Sequence, residues 1–132
     1  MNEAARAQLE KIVASEVFAG ADRLRRFLRF AVEAKLNGEE AQIKEYVIGR
    51  EVYDRDDSYD PRMDPIVRVE ARRLRARLNQ YYEGAGRADL IRVELPKGSY
   101  VPVIGPGQEP RATRLAWRAA VSGALLLGPV TK

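Results

Sequence analysis

The sequence predicts an α+β domain in which three to four helices precede a C-terminal two-stranded β-hairpin. Three observations predict it. Apolar residues recur at helical spacing through most of the chain before residue 84, most regularly over residues 66–82. Beyond Gly84 and Gly86 the period changes to two, with Ile91, Val93 and Leu95 alternating with Arg92 and Glu94. Pro96-Lys97-Gly98 then supplies a turn, and Val101 and Val103 return in step after it.

Each element has its own signal. Asn2 caps a first helix running to about residue 14, with Ala5, Leu9, Ile12 and Val13 on one side. Residues 15–21, with Gly20, read as a turn. Asp22 is placed to cap a second helix in which Leu24, Phe27, Leu28, Ala31, Val32 and Lys35 share a face opposite Arg23, Arg26 and Glu33. Asn37-Gly38 ends it, because Gly accepts the left-handed conformation at a helix C-terminus. A third helix is expected over residues 41–53, carrying Ile43, Tyr46, Val47 and Val52 and weakened by Gly49. Residues 54–63, DRDDSYDPRM, are a loop by composition. Asp64-Pro65 then opens the longest helix: an aspartate cap, and a proline where its missing N–H costs nothing. Strands are expected over 90–95 and 99–104, the second an edge strand because it holds Pro102.

Composition sets outer limits. At 132 residues, 45% hydrophobic and 32% charged, the chain holds one modest core and reads as globular. Cysteine and histidine are absent, which excludes zinc fingers, disulfides, thiol and imidazole nucleophiles and histidine acid–base chemistry. A net charge of +4 biases the chain mildly toward polyanions. Residues 1–104 form the expected domain, 105–112 a Gly/Pro linker and 113–132 an apolar C-terminal segment. The clean apolar run from 119 to 130 is shorter than the roughly 20 residues that span a bilayer. Arg111, Arg114 and Arg118 precede it, as the cytoplasmic flank of a membrane span would require. Two readings stay open for it: an apolar helix packed on the domain, or the start of a truncated transmembrane segment.

The helix over 66–82 carries the chemistry. On a helical wheel Val67, Ala71, Leu74, Leu78 and Tyr81 fall within about 80° and must face the core. Arg68, Arg72, Arg75 and Asn79 form a second stripe about 110° away, with Arg73 and Arg77 on the other flank. Guanidinium is the informative group, since its planar fork grips phosphate, or the O6/N7 edge of guanine, with two hydrogen bonds.

The stretches VRVEARRLRARL (67–78) and LIRVELPKGSYVPV (90–103) resemble the recognition helix and wing of OmpR-type winged-helix DNA-binding domains. Arg73-Leu74-Arg75 and Leu78 match the helix pattern; Gly98 and Tyr100 match the wing, with Ser99 inserted between them. More widely, residues 24–103 resemble an N-terminal domain of certain bacterial membrane-anchored proteins, in which one span and a repeat-containing or sensory region follow. IKEYVIG (43–49), DPIVRVEARRLR (64–75) and ELPKGSYVP (94–102) carry that likeness. This chain departs from OmpR-type domains in beginning with helices rather than a small β-sheet, and in having more arginines on the helix.

The resemblance implies a winged helix-turn-helix fold, double-stranded DNA as partner and a role in transcription regulation. It also implies a cytoplasmic location, tethered to the inner membrane from near residue 115. Helix 66–82 would enter the major groove, with Arg68, Arg72 and Arg75 foremost, Arg73 next and Asn79 on the same stripe. Lys97 and Ser99 on the wing, and Gln42 and Lys44 at the start of the preceding helix, would hold the backbone. The 54–63 loop would face RNA polymerase, and two-fold-related sites would imply a homodimer.

Other motifs carry less. The aspartates of 54–64 lack the alternation, central Gly and closing Glu of an EF-hand and read as caps and turns. Tyr46, Tyr53, Tyr59, Tyr81, Tyr82 and Tyr100 sit at core phase or beside apolar residues and read as packing rather than base-stacking platforms. No catalytic constellation or cofactor motif is present, so the chain is expected not to be an enzyme. The rival reading is a winged-helix interaction module that binds no DNA and sets its arginines against an acidic protein surface.

Overall fold

Among the described residues, four helices and one hairpin follow each other, each burying most of the stripe that its sequence spaces for it. The computed structural model describes residues 2–107; the apolar segment over 113–132 lies outside the described residues. α1 (Asn2–Val13) buries Ala5, Gln8, Leu9, Ile12 and Val13. A 3-10 turn, Glu16–Phe18, then drives the Phe18 ring fully into the core. α2 (Asp22–Leu36) buries Leu24, Phe27, Leu28, Ala31, Val32 and Ala34. Asp22 is not its cap. The helix already includes Asp22, and the carboxylate accepts a hydrogen bond from Arg25 Nη1 at 3.0 Å instead of from a backbone N–H. Gly38, with φ +76°, ends α2 in the left-handed conformation, one residue after the Asn37 cap.

The expected third helix is divided. Glu40–Gln42 forms a 3-10 turn, Lys44 is extended, and α3 covers only Glu45–Glu51. An unbroken helix would set Ile43 and Ile48 about 140° apart. The break at Lys44 lets both point inward, at 5% and 0% exposure. Tyr46, expected on the core side, is instead exposed, and its ring stacks on Tyr59 at 5.8 Å. Gly49 is buried because Tyr59 lies on it: a Cβ there would come within 2.3 Å of the ring.

The aspartates of the following loop make its turns. Asp56 accepts hydrogen bonds from the Ser58 N–H and hydroxyl, and Asp60 from the Arg62 N–H. Asp64 accepts from the Ile66 N–H at 3.1 Å and from Arg55 Nε at 2.8 Å, but it stands one residue before the cap: Pro65 is the N-cap and Ile66, not the proline, is the first helical residue. Among the described residues no cluster of acids is placed to hold a metal ion.

α4 (Ile66–Glu83) is the axis of the fold and packs on α2, α3, the 3-10 turn at Glu16–Phe18 and the hairpin. It buries Val67, Ala71, Leu74, Leu78 and Tyr81, as the wheel requires, and Glu70 and Tyr82 besides. Gly84 caps it, and the Gly86 N–H donates to the Tyr81 carbonyl at 2.7 Å.

The hairpin pairs β1 (Ile91–Glu94) antiparallel with β2 (Val103–Pro106), Glu94 opposite Val103 and Ile91 opposite Pro106. The turn falls where the sequence places it, with the Ser99 N–H donating to the Pro96 carbonyl at 3.1 Å and Gly98 at φ +82°. The connection is longer than three residues, however, because residues 95–102 lie outside the ladder. β2 therefore starts at Val103 rather than at Ser99 and runs on through Gly105 and Pro106. Pro102 accounts for the late start: it has no N–H to give a ladder and is fully buried against the core.

A buried polar network joins the two ends of this arrangement. Gln8 Nε2 of α1 donates to Asp89 at 2.8 Å and to the Tyr82 hydroxyl at 3.1 Å. Lys11 Nζ and the Tyr81 hydroxyl also donate to Asp89. The Tyr82 hydroxyl accepts from the Val93 N–H and donates to the Ile91 carbonyl, fixing β1 to α4.

Candidate functional site

With its apolar stripe buried, α4 presents Arg68, Arg72, Arg73, Ala76, Asn79 and Gln80 to solvent, with Glu83 at its C-terminal end. The arginines of this helix divide by what holds them. Arg68 Nη1 donates to Glu45 of α3 at 2.7 Å, and Arg73 Nη1 to the buried Glu70 at 2.8 Å. Arg77 Nη1 donates to the Val17 carbonyl at 2.7 Å. Arg75 is half-buried beneath the hairpin loop, where its Nε donates to the Leu95 and Pro96 carbonyls, both at 3.2 Å, and its Nη2 to the Ser99 carbonyl at 3.0 Å. Arg72 alone of the five makes no side-chain hydrogen bond or ion pair among the described residues.

Arg75 was expected on the outer stripe beside Arg72. Its guanidinium instead latches the loop to the helix, three donated hydrogen bonds closing the angle between them. Burial draws its pKa below the ordinary arginine value, and the neighbouring Arg72 charge acts in the same direction, against the opposing influence of Tyr100. The loop carbonyls satisfy donors without supplying a negative charge, so two positive charges stand together where loop meets helix.

On one side of the latch, α4 and β1 enclose a groove of about 530 Å³. Leu78, Val93 and Leu95 contribute apolar surface to it; Arg72, Asn79, Arg92 and Lys97 supply polar groups. Glu94 is the one acid among its lining residues, and its carboxylate accepts from Arg92 Nε. The Arg92 guanidinium also lies over the Tyr82 ring, 4.5 Å from its centroid. On the other side, Arg68, Arg72, Gly98 and Tyr100 line a shallower depression of about 240 Å³. Arg72 and Arg75 border both.

The remaining expected site residues scatter. Lys97 is exposed at the hairpin tip. Ser99 is half-buried and used within the loop: its hydroxyl accepts from the Val101 N–H at 3.0 Å and its carbonyl from Arg75. Lys44 is exposed just before Glu45, at the Arg68 end of the surface. Gln42 lies in a separate depression with Phe30, Ala34 and Val47, away from the hairpin. Arg92 was not anticipated as a site residue. The alternation of β1 marks it as pointing away from the core, which was the available signal; its seat over Tyr82 depends on the hairpin's position.

Compared with protein-family models, curated proteins and solved structures, the chain finds no match.

Proposed function

We propose that this domain is a winged helix that binds duplex DNA in transcription regulation, with α4 in the major groove and the hairpin on the adjacent backbone. The observation that carries the reading is the placement of a cationic helix face, bearing Arg68, Arg72, Arg73 and Asn79, beside a hairpin with exposed Lys97 at its tip. A helix with its side chains is about 10–12 Å across and the major groove of B-form DNA about 12 Å wide. The 18 residues of α4 give a rod about 27 Å long, enough to cross the groove and reach phosphates on both sides. Arg68 pairs with Glu45 at a partly exposed surface where ion pairs are worth about 0–1 kcal/mol, so a phosphate can compete for it; Arg73, whose partner Glu70 is buried, keeps that ion pair and offers its remaining N–H groups.

On the same reading the apolar run over 119–130, with its arginine flank, tethers the domain at the cytoplasmic face of a membrane. No helix among the described residues is long and apolar enough to cross a membrane. A full-length protein without any membrane segment, recovered wholly outside the membrane fraction, would remove the tether and leave the DNA reading intact.

Fluorescence anisotropy with a mixed-sequence duplex tests the main reading. Affinity should fall by about 10³ or more between roughly 50 and 200 mM salt, as expected for several phosphate contacts. Arg72→Ala should weaken binding measurably at every salt concentration. Absent or salt-independent binding would end the reading and favour a module that docks an acidic protein surface.

A further inference from the structure

Within the DNA-binding reading, on which this inference rests, the groove between α4 and β1 has an assignment of its own. We propose that it is a phosphate seat, in which Arg72, Asn79 and Lys97 grip one phosphodiester of the duplex backbone while Arg75 holds the hairpin loop at the spacing the phosphate needs.

Four observations converge on it. Arg72, Asn79 and Lys97 are exposed, line the same groove from its two walls, and have no side-chain partner among the described residues. Their donors are those that hold phosphate oxygens: a guanidinium fork, an amide N–H and an ammonium group. Arg75 lies beside Arg72 with its Nε and Nη2 donating to carbonyl oxygens, which carry no net charge, so its own charge persists and an anion placed between the walls relieves it. The acid that could neutralise the groove internally, Glu94, is held by Arg92.

The same placement argues against base reading by Arg72. A base edge would meet the outward crest of α4, where Ala76 stands exposed and small. Arg72 borders both hollows flanking the hairpin loop, which puts its guanidinium against the hairpin side of that crest. A backbone strand passing between a helix in the major groove and a hairpin beside it would cross this position.

The slope of log K against log salt separates the possibilities, measured with several mixed-sequence duplexes for the intact chain and for Arg72→Gln, Lys97→Gln and Arg87→Gln. Arg87 is exposed beyond the end of α4, outside the groove, and controls for loss of one charge. Each groove variant should reduce the slope, by no more than about 0.9 since one phosphate is held, equally on every duplex, while Arg87→Gln leaves it unchanged. Wild-type binding with slopes unaltered in both groove variants would overturn the seat and leave the DNA reading standing. So would an Arg72→Gln variant that alters sequence preference at constant slope, since that is base contact. Wild-type protein that binds no duplex, yet shows an Asn79 side-chain amide resonance shifted by inorganic phosphate, would overturn both, making the ligand a free phosphorylated molecule.

Discussion

At Gly49 a residue that weakens a helix is required by its neighbour. Replacing a helical Gly by Ala ordinarily gains about 1 kcal/mol of propensity. Here the added Cβ would meet the Tyr59 ring at 2.3 Å, and that ring is buried and stacked on Tyr46. Gly49→Ala should therefore destabilise the domain, by about 1–3 kcal/mol for an overpacked site, read as a lowered urea midpoint at constant slope. A raised midpoint would mean that Tyr59 moves aside at little cost. Tyr82 shows the opposite case, a polar atom that a core position needs. Its hydroxyl satisfies the Val93 N–H at 2.9 Å and the Ile91 carbonyl at 3.1 Å, and burial pushes its pKa up to about 12. Tyr82→Phe keeps the ring and leaves both backbone groups without that partner, so a loss of about 1–3 kcal/mol is expected in the same urea titration.

Among the elements, the junction of α4 and the hairpin depends most on one side chain. β1 and β2 are four residues each, and the connection between them is held down by Arg75 through three carbonyl oxygens. Arg75→Ala should leave α4 intact and release residues 95–100, seen as faster amide exchange at Gly98 and Ser99 with unchanged helical circular dichroism. Arg75→Lys should rescue little, because an ammonium lacks the fork that spans these acceptors. Unchanged exchange in Arg75→Ala would place the loop's hold elsewhere, in Pro102 and Tyr100. The elements themselves were legible to different depths. α1, α2 and α4 follow from apolar stripes long enough to fix both period and phase. The third helix is not legible in the sequence because over seven residues phase is ambiguous, and only the positions of α2 and Tyr59 make Ile43 and Ile48 both inward. The hairpin's existence followed from Ile91, Val93 and Leu95, while its register did not. That register is set by burial of Pro102, which alternation alone does not reveal. For the same reason, the wheel grouped Arg75 with Arg72, since it records direction around α4 and not the loop that returns over it.

For the molecule as a whole, the least legible feature is the network that closes the chain on itself. Gln8 and Asp89 are 81 positions apart, and neither the spacing of α1 nor the approach to β1 marks either residue. Their pairing gives the domain a pH profile with two limbs. Burial acts to raise the Asp89 pKa, but hydrogen bonds from Gln8, Lys11 and Tyr81 outweigh it and hold the carboxyl below its ordinary value. A carboxyl depressed in the folded state binds fewer protons there than in the unfolded chain. It contributes stability above the carboxylate range, and that contribution is lost as pH falls through the folded value. The buried tyrosines have the reverse sign. Burial raises Tyr82 and Tyr59 to about 12, and raises Tyr53 and Tyr81 as well, so the unfolded chain releases these protons first, near pH 10. Their contribution is complete below about pH 10 and declines as pH rises from there toward the folded values. Urea midpoints should thus be level from about pH 5 to 9 and fall on both sides. Asp89→Asn should lower the plateau and flatten the acid limb, leaving the alkaline limb in place. An acid limb of the same depth in Asp89→Asn and wild type would assign acid sensitivity to the exposed carboxylates instead, and leave the junction between α1 and the hairpin to apolar packing and the Gln8–Tyr82 hydrogen bond.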